Sequence, residues 1–251
     1  MGAGAPVPNR PDWLTGWSYA HRGLHGTEGA LENSLPAFRA AIAAGHGIEC
    51  DVQQSRDGRA MVFHDWTLDR LTGETGALRD RDADDLQRIG LLRSSGTIPT
   101  LDIMLRLVAG RVPLLVELKS RRDVDWRPLV RATQRALAPY RGPAAMMSFD
   151  PRIVQYLLRH RTRFPVGMVI GRREWRHSGG TGGFATWRGL AIRRIDPDFI
   201  ACDIADLPDS NITRLRAQGL PVLSWTIRNP KLAARAAIHV DAPIAEGDGL
   251  I

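Results

Sequence analysis

The chain contains 251 residues, of which 43% are hydrophobic and 24% are charged, which is the balance of a globular protein. The net charge of +7 favours anionic small molecules, but no arginine cluster alternates with aromatic residues along one helix, so nucleic acid is not an expected partner. No apolar run approaches the ~20 residues of a membrane span, and no N-terminal signal pattern is present. We therefore expect a cytoplasmic protein without stable membrane insertion, as a monomer or homodimer.

The predicted strands alternate with helices or long loops along residues 17–251, after an N-terminal tail of residues 1–16. Strands are predicted at 17–21, 47–52, 60–64, 112–118, 144–149, 165–170, 199–202 and 221–226. Helices are predicted after the Asn33-Ser34 cap and at 83–89, 101–108, 124–139, 151–160, 210–218 and 230–238. Two longer segments remain: 66–98 is predicted to be a loop with apolar anchors, and the glycine- and tryptophan-rich segment 171–196 a lid.

The strands are nearly continuous apolar runs, which is typical of parallel strands that are buried on both faces. Eight such strands without a break in composition predict an α/β protein with a single-domain TIM (β/α)8 barrel. An open doubly wound sheet is the alternative, but the first strand is not followed by the glycine-rich phosphate fingerprint of that fold.

Three carboxylates lie near the ends of predicted strands, where a (β/α)8 barrel carries its active site. Glu49 and Asp51 share one face of the second strand, and Glu117 comes from a strand predicted to lie two places round the barrel. Oxygen ligands favour a hard divalent cation, Mg²⁺ or Ca²⁺, over Zn²⁺, because no cysteine or pair of histidines accompanies them.

Two histidines and two cations are predicted to lie beside these carboxylates. His21 and His64 follow the first and third strands, and a pair of imidazoles can act as general base and general acid. Arg22 and Lys119 offer positive charge to an anion such as a phosphodiester, whose charge such groups stabilise. His25 lies in a loop and is interpreted as a bystander.

Taken in order, these motifs resemble those of the glycerophosphodiester phosphodiesterases. The resemblance runs from about Ala20 to Thr226. It is carried by His21-Arg22-Gly23, Glu32-Asn33-Ser34, Ala37-Phe38, Glu49-Cys50-Asp51-Val52, Asp57-Gly58, Val62-Phe63-His64-Asp65, Leu68-Asp69-Arg70-Leu71-Thr72-Gly73, Val116-Glu117-Leu118-Lys119 and Ser224-Trp225-Thr226.

The resemblance implies a TIM barrel that hydrolyses a small-molecule glycerophosphodiester to glycerol 3-phosphate and an alcohol. Matched position by position, it implies an acid/base pair in His21 and His64, metal ligands in Glu49, Asp51 and Glu117, phosphate contacts in Arg22 and Lys119, and an aromatic wall against the glycerol carbons in Trp225.

One segment departs from the family pattern, which often has an Asp-Arg-Pro-like sequence after the last helix. This chain reads Asp241-Ala242-Pro243-Ile244-Ala245-Glu246-Gly247 there, so no contribution of this segment to the rim is predicted. Two other functions stay open. An apolar groove along 171–196 would favour hydrolysis of lysophospholipids by a lysophospholipase D-type reaction. A non-catalytic binding barrel would lack at least one metal carboxylate or histidine.

Overall fold

A computed structural model describes residues 10–26, 29–160, 162–172 and 192–250, and the fold is a (β/α)8 barrel. Nine strands are described: β1 (Tyr19–Ala20), β2 (Gly47–Gln54), β3 (Ala60–Val62), β4 (Leu114–Leu118), β5 (Ala144–Ser148), β6 (Val166–Ile170), β7 (Phe199–Asp203), β8 (Val222–Ile227) and β9 (Ala242–Ala245). All but β3 pair in parallel in the order β1-β2-β4-β5-β6-β7-β8-β9, and the pairing of β9 with β1 closes the ring. The predicted fold class is confirmed.

Two strand assignments made from the sequence were wrong, although the predicted number of barrel strands was right. The third predicted strand is β3, which pairs antiparallel with β2 and lies outside the ring. A two-stranded hairpin explains this, since the Asp57-Gly58 turn is too short for a parallel crossover. The eighth barrel strand is instead β9, which was not predicted because it is short and carries a proline, Pro243, within it.

The helices pack around the outside of the barrel. Their bounds are α1 (Leu35–Ala43), α2 (Ala83–Leu86), α3 (Leu101–Val108), α4 (Arg127–Leu137), α5 (Pro151–Arg159), α6 (Ser210–Ala217) and α7 (Pro230–His239). The Ser34 hydroxyl accepts a hydrogen bond from the backbone of Ala37 and so caps α1, as the sequence predicted. None of the helices in the described ranges is long and apolar enough to cross a membrane.

The barrel interior follows the two-residue period of the strands, since alternate side chains of each strand face the axis. The inward-facing apolar layer contains Tyr19, Leu115, Leu223 and Ile244, and Leu14 from the N-terminal tail packs against it. The next inward-facing position on these four strands lies nearer the carboxyl end and is polar or aromatic. Apolar residues therefore fill the lower barrel, and the functional side chains stand directly above them.

The long loop 66–98 packs on a hydrophobic cluster of its own. Its predicted anchors are all buried and contact Met61 and Phe63 of the β2–β3 hairpin; they are Leu68, Leu71, Leu78, Leu86 and Leu91. This cluster fixes the segment that carries His64 against the barrel. The predicted lid at 171–196 lies mostly outside the described residues.

Candidate active site

Three carboxylates form the centre of the rim. Glu49 and Asp51 face the barrel axis from β2, and Glu117 faces it from β4. β4 is the immediate neighbour of β2, with Asp51 in register with Glu117, so the prediction that Glu117 lies two strands away was wrong, since β3 does not intervene in the ring. One oxygen of each carboxylate lies within 4.8 Å of one oxygen of the other two. That spacing fits a common cation at ~2.0–2.6 Å from each ligand.

Burial and mutual repulsion make these carboxylates unusual acids. Burial and the charges of Asp51 and Glu117 raise the pKa of Glu49 well above its usual value. Burial also raises the pKa of Glu117, although the ammonium of Lys119 opposes the change. For Asp51, burial is outweighed by the charges of Lys119 and Arg22, which hold its pKa below the usual value. The cluster thus holds excess negative charge that a cation would relieve.

Lys119 and Arg22 lie against the carboxylates from opposite sides. The Lys119 Nζ is 3.3 Å from Glu117 Oε1 and 3.4 Å from Asp51 Oδ1. Burial lowers the pKa of Lys119, but these two carboxylates outweigh burial and raise it, so the ammonium stays charged. The Arg22 Nε is 3.3 Å from Asp51 Oδ2, is buried and has no hydrogen-bond partner. Both cations therefore lie within 3.4 Å of the Asp51 carboxylate.

The turn at Arg22-Gly23 sets the position of the arginine. The backbone N–H of Arg22 donates to Glu49 Oε2 at 3.0 Å. Gly23 has a φ of 83°, and a Cβ there would lie 2.9 Å from the Phe38 ring, so only glycine fits. Asn33 completes the turn: its side-chain N–H₂ donates to Asp51 Oδ2 at 2.9 Å, and its Oδ1 accepts from the Asp51 backbone at 3.2 Å.

Glu246 is a site residue that the sequence analysis missed. His21 Nδ1 donates to Glu246 Oε2 over 2.7 Å, and His25 Nε2 lies 3.6 Å from the same oxygen. The hydrogen bond from His21 and the proximity of His25 lower the pKa of Glu246, so it stays ionised and fixes the proton on His21 Nδ1. Burial lowers the pKa of His21 itself despite this bond. His25 is therefore a neighbour of the site and not a distant loop residue.

A signal for Glu246 was present in the sequence. Ile244 faces the barrel interior, and Glu246 stands two residues later at the carboxyl end of the same strand. Tyr19 and His21 have the same relationship on β1. Recognition of β9 as the last barrel strand would have placed Glu246 on the rim by this period of two.

His64 does not end a strand, because β3 stops at Val62, and it is held from the loop that follows. His64 Nδ1 donates to Asp65 Oδ1 at 2.8 Å, and Arg70 Nε donates to Asp65 Oδ2 at 2.5 Å. Burial raises the pKa of Asp65, but the hydrogen bonds from Arg70 and His64 outweigh burial and lower this pKa to about 2. Burial also lowers the pKa of His64, so its imidazole favours the neutral form.

Gln53 anchors the loop of His64 to the barrel. It follows Asp51 by two residues, so it shares the inner face of β2, and it is buried. Its side-chain N–H₂ lies within hydrogen-bonding distance of the carbonyl oxygens of Phe63, His64 and Asp65, at 2.9, 2.9 and 2.6 Å. The strand that carries the carboxylates thereby also positions the second histidine.

Trp225 stands on the far side of the barrel from the carboxylates. It lies on β8, and its indole N–H donates to the carbonyl of Ala201 at 3.2 Å. The ring meets Phe149 edge-on, with centroids 5.5 Å apart. The rim therefore has a charged side at β2 and β4 and an aromatic side at β8. In the ring of eight strands, β4 and β8 are four places apart, so the two sides face each other.

Comparison with known proteins is consistent with this arrangement. YhdW of Bacillus subtilis, provisionally named a glycerophosphodiester phosphodiesterase, is 27% identical over 241 residues, which is 90% of this chain and 93% of the relative. The glycerophosphodiester phosphodiesterase of Bacillus altitudinis is 34% identical over 113 residues, 42% of this chain and 45% of that protein. A solved phosphodiesterase of Oleispira antarctica, in complex with the product sn-glycerol-3-phosphate, shares the fold with a TM-score of 0.78 at 21% identity, covering 91% of this chain and 92% of that one.

A family model extends the match over the whole barrel. Residues 21–245 match the model of the glycerophosphoryl diester phosphodiesterase family. The match begins at the first histidine of the rim and ends within the last barrel strand. The chain therefore belongs to the glycerophosphoryl diester phosphodiesterase family, a family of hydrolases.

Proposed function

We propose that this protein hydrolyses small-molecule glycerophosphodiesters to glycerol 3-phosphate and an alcohol, using a divalent cation and two histidines. The observation that carries the proposal is the convergence of three buried carboxylates, each with an oxygen within 4.8 Å of the others, beside Lys119 and Arg22. The glycerol 3-phosphate found with the Oleispira antarctica phosphodiesterase supports the same product here.

The donor set fits Mg²⁺ or Ca²⁺. Glu49, Asp51 and Glu117 would hold the ion, since both cations prefer oxygen ligands. When bound, such an ion polarises a phosphoryl oxygen as a Lewis acid. Burial and mutual repulsion disfavour the ionised forms of Glu49 and Glu117, and a bound divalent cation would supply the positive charge that these carboxylates lack.

The two cationic side chains would bind and orient the phosphate group. Arg22 and Lys119 both lie within 3.4 Å of Asp51, so an anion next to the carboxylate cluster meets both. Trp225 would support the glycerol carbons from the opposite side of the rim. Fixed charges of this kind stabilise the charge that develops in the transition state without reorganisation.

The histidines would supply the proton transfers. Each has its Nδ1 bound to a carboxylate, His21 to Glu246 and His64 to Asp65, so each presents Nε2 to the substrate. Their lowered pKa values keep an imidazole neutral and able to accept a proton near pH 7. The neutral imidazole of one histidine would take the proton of the nucleophile on Nε2. The other histidine would enter the reaction with a proton on both ring nitrogens, stabilised by the carboxylate at Nδ1, and would pass its Nε2 proton to the leaving alcohol oxygen.

Two other functions predicted from the sequence have weaker support. A non-catalytic barrel would lack a carboxylate or histidine of this set, and all five are present. Lysophospholipase D-type hydrolysis would be favoured by an apolar groove along 171–196, most of which lies outside the described residues. The diesterase therefore stands as the proposal.

The test is release of glycerol 3-phosphate from glycerophosphocholine, glycerophosphoethanolamine and lysophospholipids, with and without EDTA. We expect turnover of the glycerophosphodiesters that EDTA abolishes and that His21→Ala lowers by roughly 100-fold or more, as for loss of a general acid or base. Arg88→Gln, on the exposed surface, is the matched control. Turnover that resists EDTA or survives in His21→Ala would contradict the proposal.

A further inference from the structure

A cavity opens on the rim beside Lys119, between the β2–β3 turn and the start of α4. Its volume is about 240 Å³. That volume suits a small polar group and is small for an acyl chain. The roles proposed above leave this cavity without a function.

The position of the cavity indicates which part of a diester would enter it. Lys119 lines the cavity and also contacts Asp51 and Glu117, so a phosphate bound at the carboxylates would stand at the mouth of the cavity. Trp225 lies on β8, on the opposite side of the barrel from β2 and β4. If the glycerol lies against Trp225, the alcohol on the other side of the phosphorus extends toward the cavity.

An arginine already covers one face of each of the two tryptophan rings that line the cavity. The Arg121 guanidinium lies over the Trp66 ring at 5.5 Å from its centroid. The Arg127 guanidinium lies in the same way over Trp126, at 5.0 Å. A quaternary ammonium is recognised by the faces of aromatic rings, and here arginines already occupy faces of both rings.

The charged groups of the cavity favour an anion. Its lining carries four cationic side chains and one carboxylate; the cations are Arg56, Arg79, Lys119 and Arg121, and the carboxylate is Asp125. Three of the cations already pair with carboxylates: Arg56 with Asp82, Lys119 with Asp51 and Glu117, and Arg121 with Asp123. Asp125 accepts a hydrogen bond from Arg127 at 3.1 Å, so its charge is already partly compensated. Arg79 is exposed and, within the described ranges, has neither a hydrogen bond nor an ion pair, so it has no carboxylate to release before it binds a ligand.

We propose that this cavity binds the alcohol half of the diester and selects alcohols that carry a second anionic group, such as a phosphate or a carboxylate. This inference rests on the proposed function and narrows its substrate class. Arg79 would pair with the second anion, and its charge would disfavour a choline or ethanolamine head group.

The experiment compares kcat/KM for glycerophosphoinositol 4-phosphate, glycerophosphoinositol and glycerophosphocholine, with the holoenzyme in saturating divalent cation. We expect the phosphorylated substrate to exceed the choline diester by at least tenfold, the size of one charge-assisted hydrogen bond. Arg79→Glu should reduce that ratio by roughly tenfold or more and should raise turnover of the choline diester. Arg88→Gln, an exposed arginine outside the cavity, should leave the ratio unchanged.

Calorimetric binding of the same three diesters to His64→Ala, which is expected not to turn them over, separates this inference from the proposed function. If no diester is hydrolysed, the proposed function fails, while a tighter Kd for the phosphorylated diester that Arg79→Glu abolishes still supports the cavity. Equal kcat/KM and equal Kd for anionic and cationic head groups, or a preference that Arg79→Glu leaves intact, would overturn the inference.

Discussion

Replacement of Glu246 by glutamine would test how the site controls His21. The carboxylate accepts the Nδ1 proton of His21 over 2.7 Å, which fixes the tautomer and the ring orientation. Glutamine keeps the length of the side chain and removes its charge. The hydrogen bond to Glu246 raises the pKa of His21 against the effect of burial, so the substitution should lower this pKa further.

The geometry indicates how much catalytic activity Glu246→Gln should lose. The bond is short, and the His21 side chain is only 12% exposed, so water cannot replace the lost partner well. Loss of such a supporting partner typically reduces activity by about 10–100-fold, or about 1.4–2.7 kcal/mol of transition-state stabilisation. The loss should fall on kcat, because Glu246 acts on the reacting imidazole.

The assay is the pH profile of kcat for glycerophosphodiester hydrolysis. If His21 is active as the neutral base, a lower pKa moves the acidic limb to lower pH, while the plateau falls by about 10–100-fold. Arg228→Gln is the control, since Arg228 also pairs with Glu246 at 2.7 Å but does not contact His21. An unchanged plateau in Glu246→Gln, or an equal loss in Arg228→Gln, would refute the reasoning.

Three further substitutions test other parts of the site. Gln53→Leu removes the donor to the loop of His64, so we expect kcat to fall roughly tenfold with little change in KM, measured by steady-state kinetics. Gly23→Ala adds a Cβ at a φ of 83°, and calorimetry should show a loss of about 2 kcal/mol in stability. The pKa of Asp65, ordinarily 3.8, is about 2 in the folded chain, so its stabilisation is complete above 3.8 and is lost as the pH falls through about 2. Melting temperatures from pH 7 to pH 2 should therefore show Arg70→Gln less stable than the wild type at neutral pH, with the difference vanishing toward pH 2.

The sequence predicted the fold, and it predicted the carboxylates of β2 on one face, because both follow from local patterns. Buried parallel strands read as apolar runs, and the alternation along β2 placed Glu49 and Asp51 on one face. The sequence could not show that β3 folds back outside the ring, because periodicity does not tell an antiparallel hairpin strand from a barrel strand. Asp51 and Glu117 lie on adjacent strands only because β3 is outside the ring, so the sequence did not predict that they are neighbours.

The site contacts that were not predicted from the sequence join segments that are distant in the chain. Glu246 meets His21 across 225 positions of the chain, because β9 closes the ring beside β1. Asn33 reaches Asp51 through a turn in the left-handed region, where its φ is 56°. No periodicity in the sequence reports such pairings. The cytoplasmic location and the monomeric or dimeric state, which were also expected from the sequence, stay predictions.

The measurement that tests the central claim most directly is anomalous diffraction from crystals soaked in Mn²⁺ as a substitute for Mg²⁺ or Ca²⁺. Three groups of acidic and histidine side chains in the described residues could hold an ion, and the proposed metal site is the one formed by Glu49, Asp51 and Glu117. We expect a single strong peak at ~2.0–2.6 Å from an oxygen of each of these three carboxylates. A strongest peak at His21 and Glu246, or at His64 and Asp65, would contradict this assignment.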